Sequence, residues 1–253
     1  MMIRWDASSF LRSQVDAAAQ QAGYTLNYDH VAISGMGIVF EPLSIQQGQQ
    51  ASIKLDKLQL SLALSQLFSG TLALDIDAIW QGNPIHTNVA QNQGVLLLSN
   101  IDAQVDMSHL NALQIPAQLS GIIQLKGDIS LLDNTGLPQS GKLHLTWNQA
   151  KAGLSSPEFT LGDYTLELAS QTDAAQPWQW VIAGGSGVSL HGSGTLFPNH
   201  PDPKYWSTSG LVEAKIDNSN PSLSMMMQSM MGSTQAKLQI SGTLGLPRTE
   251  IVR

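Results

Sequence analysis

The histidines are the first candidates for a functional site, because imidazole serves both as a metal ligand and as a general base. None of the six follows another at the spacing of a metal-binding motif, and no H-E-x-x-H run occurs. His144 and His191 fall in predicted strands, where we expect them to face solvent. The sequence therefore predicts no metal site. The histidines are His30, His86, His109, His144, His191 and His200.

A glycine-rich stretch is the next candidate, because such loops can cradle phosphates. Its spacing fits neither G-x-G-x-x-G nor G-x-x-x-x-G-K, and no helix is predicted to follow it. Ser186 and Ser193 lie within the stretch but do not complete the G-x-S-x-G nucleophile motif. A β-turn with a bulge is therefore the predicted structure. The glycines are Gly184, Gly185, Gly187, Gly192 and Gly194.

The sequence also gives no support for acid/base catalysis by carboxylates or for cysteine chemistry. Asp75 and Asp77 share one face of a predicted strand, as a general acid/base pair can, but a lone D-x-D in a strand is typical of a solvated face. The chain has no cysteine, which excludes thiolate catalysis and Cys-ligated zinc. We predict no enzyme, no catalytic residue and no bound cofactor or metal.

A methionine cluster leaves three interpretations open. The side chains could form the buried face of a helix plugging one end of a sheet, or contact a partner or lipid through flexible thioethers, or bind copper without His or Cys ligands nearby. The cluster consists of Met225, Met226, Met227, Met230 and Met231. In the first interpretation the buried face is formed by Leu223, Met226, Met227 and Met230.

Charge and hydropathy narrow the class of protein further. The formal net charge is −7, which disfavours a nucleic-acid binder that must neutralise phosphates. No run of 18 apolar residues occurs, so we expect no membrane span within this chain.

The elements that would position any site are mostly strands. Apolar residues alternate with polar ones along Tyr164–Leu168 and Trp178–Ile182, and similar ladders occur elsewhere. A helix is predicted from Asp6 to the stop at Gly23, and short helical pieces at Ser65–Phe68 and from Pro221. The other ladders are Leu58–Leu64, Leu72–Ile76, Ile123–Ile129, Leu143–Trp147, Val188–Leu190, Val212–Ile216 and Leu238–Ile240.

A loose Ser-Gly repeat accompanies these strands. Glycine inside a strand pattern usually marks a bulge or bend, although Ser-Gly is also common in ordinary turns. Recurrent bends predict a large curved antiparallel sheet, either an open trough or a partly closed barrel. The repeat occurs at Gly70, Gly121, Gly141, Gly194, Gly210 and Gly242.

Several of these segments, taken in order, resemble the type II secretion system protein N family. The similarity covers about half of the chain, from Leu119 to Leu244, and the earlier half is similar to the broader AsmA-like envelope proteins. The matching segments are Leu143–Trp147, Leu161–Tyr164, Gly184-Gly185, Leu190–Gly194, Ser222–Met231 and Leu238–Gly242.

The resemblance implies a periplasmic protein tethered to the inner membrane of a Gram-negative bacterium by an anchor absent from this chain. It implies an N-terminal helix over 1–23, then one extended β domain over 24–253 with room for a subdivision near 115–140. The implied function is a non-catalytic accessory subunit of type II secretion, binding other envelope subunits through sheet edges or loops.

The alternative is a lipid-binding or lipid-transfer protein that holds phospholipid chains on a concave apolar face. Long open sheet edges would also allow self-association.

Overall fold

A computed structural model describes most of the chain. The described residues are 13, 15–17, 19–21, 23–48, 52–63, 73–110, 118–153, 158–171, 176–216, 221, 224, 225, 228 and 233–252.

Consecutive strands pair as neighbours in one antiparallel sheet. The short β3 (Ile53–Leu55) is the exception: it pairs with β2 (Gly37–Gln47), which also pairs with β4 (Lys57–Leu62). β1 and β15 are the two ends of this order, so the sheet is not closed. The prediction of a mainly β fold on a large antiparallel sheet is confirmed. The strands are β1 (Tyr24–Ser34), β2 (Gly37–Gln47), β3 (Ile53–Leu55), β4 (Lys57–Leu62), β5 (Ala73–Trp80), β6 (Asn83–Asn92), β7 (Val95–Asp106), β8 (Gln118–Leu132), β9 (Pro138–Gly153), β10 (Phe159–Ala169), β11 (Trp178–Gly184), β12 (Val188–Phe197), β13 (Ser207–Ile216), β14 (Gln235–Thr243) and β15 (Leu246–Val252).

Compactness divides the chain into two units, Met1–Ala90 and Gln91–Arg253. They are called unit 1 and unit 2 below and are described separately. The family resemblance instead implies a helix over 1–23 and one β domain over 24–253, with room for a subdivision near 115–140. These domain boundaries stay predictions.

Unit 1 begins with the predicted N-terminal helix. Residues 13, 15–17 and 19–21 are helical, and Gly23 ends the helix with φ of 79° and an N–H bond to the Gln20 carbonyl at 3.0 Å. The Tyr28 hydroxyl donates to Asp16 Oδ1 at 3.0 Å, which ties the helix to β1. The predicted start at Asp6 lies outside the described residues.

The core of unit 1 lies where β1 and β2 pair. Val31 lies directly opposite Phe40, and both are buried together with Leu43. The Tyr28 ring meets the Phe40 ring edge-on, with centroids 5.2 Å apart. Val15 of the helix packs against the same cluster, so the helix and the first hairpin share one core.

Unit 2 has faces of opposite character, as the alternation predicts. Cross-strand registers align Leu125, Leu145, Leu166 and Ile182 on one side, called the apolar face. The next residue on each strand lies on the other side, where His144 faces Glu167 and Glu213 faces Lys237. The buried cluster of the apolar face is Trp178, Trp180, Leu196, Trp206 and Val212.

The glycines of the Ser-Gly repeat do not all form bulges. At Gly121, φ is 110° and the β8–β9 register shifts, so a bulge is confirmed there. At Gly194 and Gly210, which lie opposite each other, the register runs without a shift, so neither glycine forms a bulge between β12 and β13. A Cβ on either would come within 2.4 Å of the Trp180 ring, so these glycines make room for an indole. Gly70 lies outside the described residues.

Few of the other described residues are helical. Residues 221, 224, 225 and 228 are helical, which confirms a helix beginning near Pro221, and Met225 is exposed. The other methionines of the cluster and Ser65–Phe68 lie outside the described residues. A four-residue helix, Met107–Leu110, was not predicted. Among the residues described, no helix combines the length and apolarity needed to cross a bilayer.

Candidate functional site

An apolar groove of about 280 Å³ runs over β8 to β12 in unit 2 and is the candidate site. Two cross-strand rows build it: one places Ile123, Trp147 and Tyr164 side by side, and the next places Leu145, Leu166 and Ile182. Among the residues that the structure describes, the lining contains no charged side chain. It consists of Ile123, Leu145, Trp147, Leu161, Tyr164, Thr165, Leu166, Ile182, Val188 and Leu190.

The two aromatic residues of the groove direct their polar atoms into the sheet. Trp147 Nε1 donates to the Ser120 carbonyl at 3.2 Å, and the Tyr164 hydroxyl donates to the Val188 carbonyl at 2.7 Å. Their ring centroids lie 5.9 Å apart. Because these donors are already engaged, the rings offer the groove mainly carbon surface, which favours an apolar ligand.

The segment Leu161–Tyr164 supplies Leu161 and Tyr164 to the lining of the groove and is bonded to the glycine-rich corner. The Leu161 carbonyl accepts from Gly187 N–H at 2.9 Å, and the Asp163 carbonyl accepts from Gly185 N–H at 2.7 Å. A Cβ on Gly162 would lie 2.2 Å from Ser186 N, so only glycine fits this approach.

The Asp163 carboxylate extends this arrangement to β9. Its Oδ1 accepts from the N–H of Gln149 at 2.6 Å, where Gln149 has the left-handed φ of 53°. A charge-assisted hydrogen bond of this kind favours the bulged backbone. The side chain thus has a structural role beside the groove.

The glycine-rich corner is therefore a turn, as predicted, and not a phosphate loop. Gly184 and Gly185 have φ of 122° and 89°, and the Tyr164 ring covers the corner. The amides of Gly185 and Gly187, which a phosphate would need, are bonded to β10. Ser186 and Ser193 are exposed, and the described structure gives neither a hydrogen bond to a histidine.

The remaining candidates for chemistry are dispersed. Asp77 Oδ1 lies 2.8 Å from His86 Nδ1 at an exposed contact, and Asp75 accepts from Asn88 across the same strand pair at a part-buried one. His144 lies 3.7 Å from Glu167 on the polar side of unit 2, and His191 is exposed. Within the described ranges, no three His, Asp or Glu side chains converge as metal ligands.

Tyr164 titration offers a pH test of this corner. Burial raises the pKa of the Tyr164 hydroxyl from 10.0 to about 12. The folded state therefore disfavours the phenolate relative to the unfolded state. The contribution of the protonated Tyr164 hydroxyl to folding stability is complete below pH 10 and is lost as the pH rises through about 12. We expect the free energy of unfolding to fall over this interval in urea titrations followed by circular dichroism.

The matched variant is Tyr164→Phe, which removes the hydroxyl and keeps the ring. It should unfold more easily than the natural protein by about 1 kcal/mol at neutral pH and show a smaller alkaline loss. An equal alkaline loss in both proteins would show that Tyr164 is not the responsible group.

Sequence reasoning anticipated an apolar face of Leu, Ile, Val and Trp but assigned no residue to a site. The groove depends on which strands pair and in which register, which alternation within one strand does not reveal. The aromatic pair Trp147 and Tyr164 was the usable signal, since each belongs to a ladder already identified. Comparison with protein-family models, curated proteins and solved structures finds no match to this chain.

Proposed function

We propose that this protein is a non-catalytic accessory subunit of the bacterial type II secretion system, tethered in the periplasm to the inner membrane. The observation that carries the proposal is the corner formed by Leu161–Tyr164 and Gly184-Gly185. These two segments of the family resemblance are distant in sequence yet hydrogen-bond directly to each other. Their polar groups serve the fold, as expected of a scaffold whose work is binding.

Sheet edges are the proposed means of binding. β1 (Tyr24–Ser34) pairs only with β2 among the described strands, so no described strand lies along its other edge. Ile33 near its end is 57% exposed. An extended segment of another envelope subunit could add to this edge, with backbone hydrogen bonds supplying affinity.

Site-specific photo-crosslinking in the bacterial envelope tests this proposal. A crosslinking amino acid at Ile33 should capture other type II secretion subunits, identified by mass spectrometry. The matched control is Asn134, an exposed turn residue between β8 and β9, which should capture them far less. Capture of only unrelated envelope proteins from Ile33 would contradict the proposal.

The apolar groove favours a second candidate, a lipid-binding protein of the envelope. Each methylene of an acyl chain that leaves water contributes about 0.8 kcal/mol. A groove lined by aliphatic and aromatic carbon, with its polar atoms turned away, is suited to such a chain. Phospholipid is the ligand class this candidate implies.

Filling the groove separates the two candidates. Val188→Trp should place an indole in the groove and lower the phospholipid recovered by solvent extraction of the purified protein several-fold. The matched control is Ser189→Trp, one residue along β12 and on its other side, which should leave recovery unchanged. Lipid-free natural protein, or equal loss in both variants, would count against lipid binding at this site.

A further inference from the structure

The last strand of the sheet order, β15, forms an exposed edge of unit 2. It pairs with β14 through Leu246–Val252 and has no other partner among the described strands. All seven residues are exposed, with Leu246 at 80% and Ile251 at 54%. The unpaired N–H and C=O groups of an exposed edge strand can template pairing with another strand.

The sequence of this edge is complementary to itself. If two copies of β15 pair antiparallel about a two-fold axis at Thr249, Arg248 of each lies opposite Glu250 of the other. Leu246 then lies opposite Val252, and Thr249 opposite itself. A shift of the axis by one residue would place either Arg248 or Glu250 opposite its own copy. A parallel in-register pairing would place both residues opposite their own copies. Like charges directly opposite each other destabilise a strand pair.

Both charges are available for this pairing. The described structure gives Arg248 and Glu250 no ion-pair partner within the chain, and both side chains are exposed. They project from the polar side of β15, since Arg248 lies opposite Ser241 and Glu250 opposite Gln239. Pro247, which lies opposite Ile251 of the other copy in this register, lacks one N–H donor, as is usual on an edge strand, while the backbone groups of Thr249 are unaffected.

Pairing about this two-fold axis continues each face of the sheet from one copy into the other. Ile251 lies opposite Leu238 and Thr249 opposite Ile240, so both belong to the apolar side of unit 2. A two-fold axis perpendicular to the sheet places the apolar side of one copy beside that of the other. Pairing would therefore cover Ile251 without burying a charge.

We propose that β15 is a homodimer interface, at which two copies of this chain pair antiparallel about Thr249. Closed two-fold pairing is the commonest symmetry of protein dimers. The inference does not rest on the proposed secretion role, because purified protein tests it alone.

Charge exchange tests the pairing by sedimentation velocity over a concentration series. Arg248→Glu or Glu250→Arg alone should raise the dimer dissociation constant on the order of tenfold, since two attractive pairs become repulsive. The double variant Arg248→Glu with Glu250→Arg should restore it. A monomeric natural protein, or single variants that associate as well as the natural one, would overturn the proposal.

Thiol crosslinking tests the register, and the absence of any native cysteine makes it specific. Thr249→Cys should give a covalent dimer with a short bis-maleimide, because directly opposite residues have Cβ atoms about 5 Å apart. Leu246→Cys is the matched control, since its two copies would lie roughly 20 Å apart. Efficient crosslinking of the control, or none at Thr249→Cys, would overturn the proposed register.

Discussion

Replacing Trp178 by alanine is expected to lower the free energy of unfolding by about 3–5 kcal/mol. Trp178 is 1% exposed and lies in the buried cluster of unit 2. Its ring centroid is 6.3 Å from that of Trp206, and its edge packs beside Gly141. Alanine would remove these contacts and leave a cavity that the paired strands cannot readily close.

The measurement is urea unfolding followed by circular dichroism, with Val181→Ala as the matched control. Val181 lies on the same strand but on the opposite side and is 50% exposed, so its truncation should change stability by no more than about 0.5 kcal/mol. Similar losses for the two variants would contradict the placement of the core on the tryptophan side of β11.

Gly210→Ala is expected to destabilise the protein by about 1–3 kcal/mol, although alanine normally stabilises a strand relative to glycine by about 0.5–1 kcal/mol. The sign reverses because the added Cβ would lie 2.2 Å from Cζ2 of Trp180. The indole cannot simply move aside, since its Nε1 donates to Thr195 O and Thr208 Oγ1, both at 3.2 Å.

A double-mutant cycle isolates the contact between the glycine and the indole. Trp180→Leu should itself destabilise, but it should relieve part of the effect of Gly210→Ala, with a coupling energy of about 1 kcal/mol or more. In the control cycle Leu211→Ala takes the place of Gly210→Ala. Leu211 is the next residue of β13, and its side chain is 42% exposed on the side of the sheet away from Trp180. Strict additivity of Gly210→Ala and Trp180→Leu would show that the ring and the glycine are not in contact.

The comparison of these glycines shows where sequence reasoning reaches its limit. Alternation along a single strand is a local property, so the strands around Tyr164, Trp178 and Leu190 and the stop at Gly23 could be predicted. The function of Gly194 and Gly210 depends on Trp180 lying beside them across two strand pairs. The same reasoning found the bulge at Gly121, because a positive φ is a local requirement.

The apolar groove was predictable only in part for the same reason. The ladders of Leu145, Trp147 and Tyr164 indicated which side of each strand is apolar. Their convergence requires the order of β8 to β12 and the registers between them, which are non-local. The four-residue helix Met107–Leu110 was missed because it is too short to show a helical period.

Export of folded proteins by bacteria lacking this gene is the most direct test of the proposed role. The amount of a folded type II substrate should be compared between culture medium and periplasm, with and without the reintroduced gene. The secretion role predicts that the substrate accumulates in the periplasm and that the reintroduced gene restores its release. Unchanged export from the mutant would contradict the assignment to type II secretion.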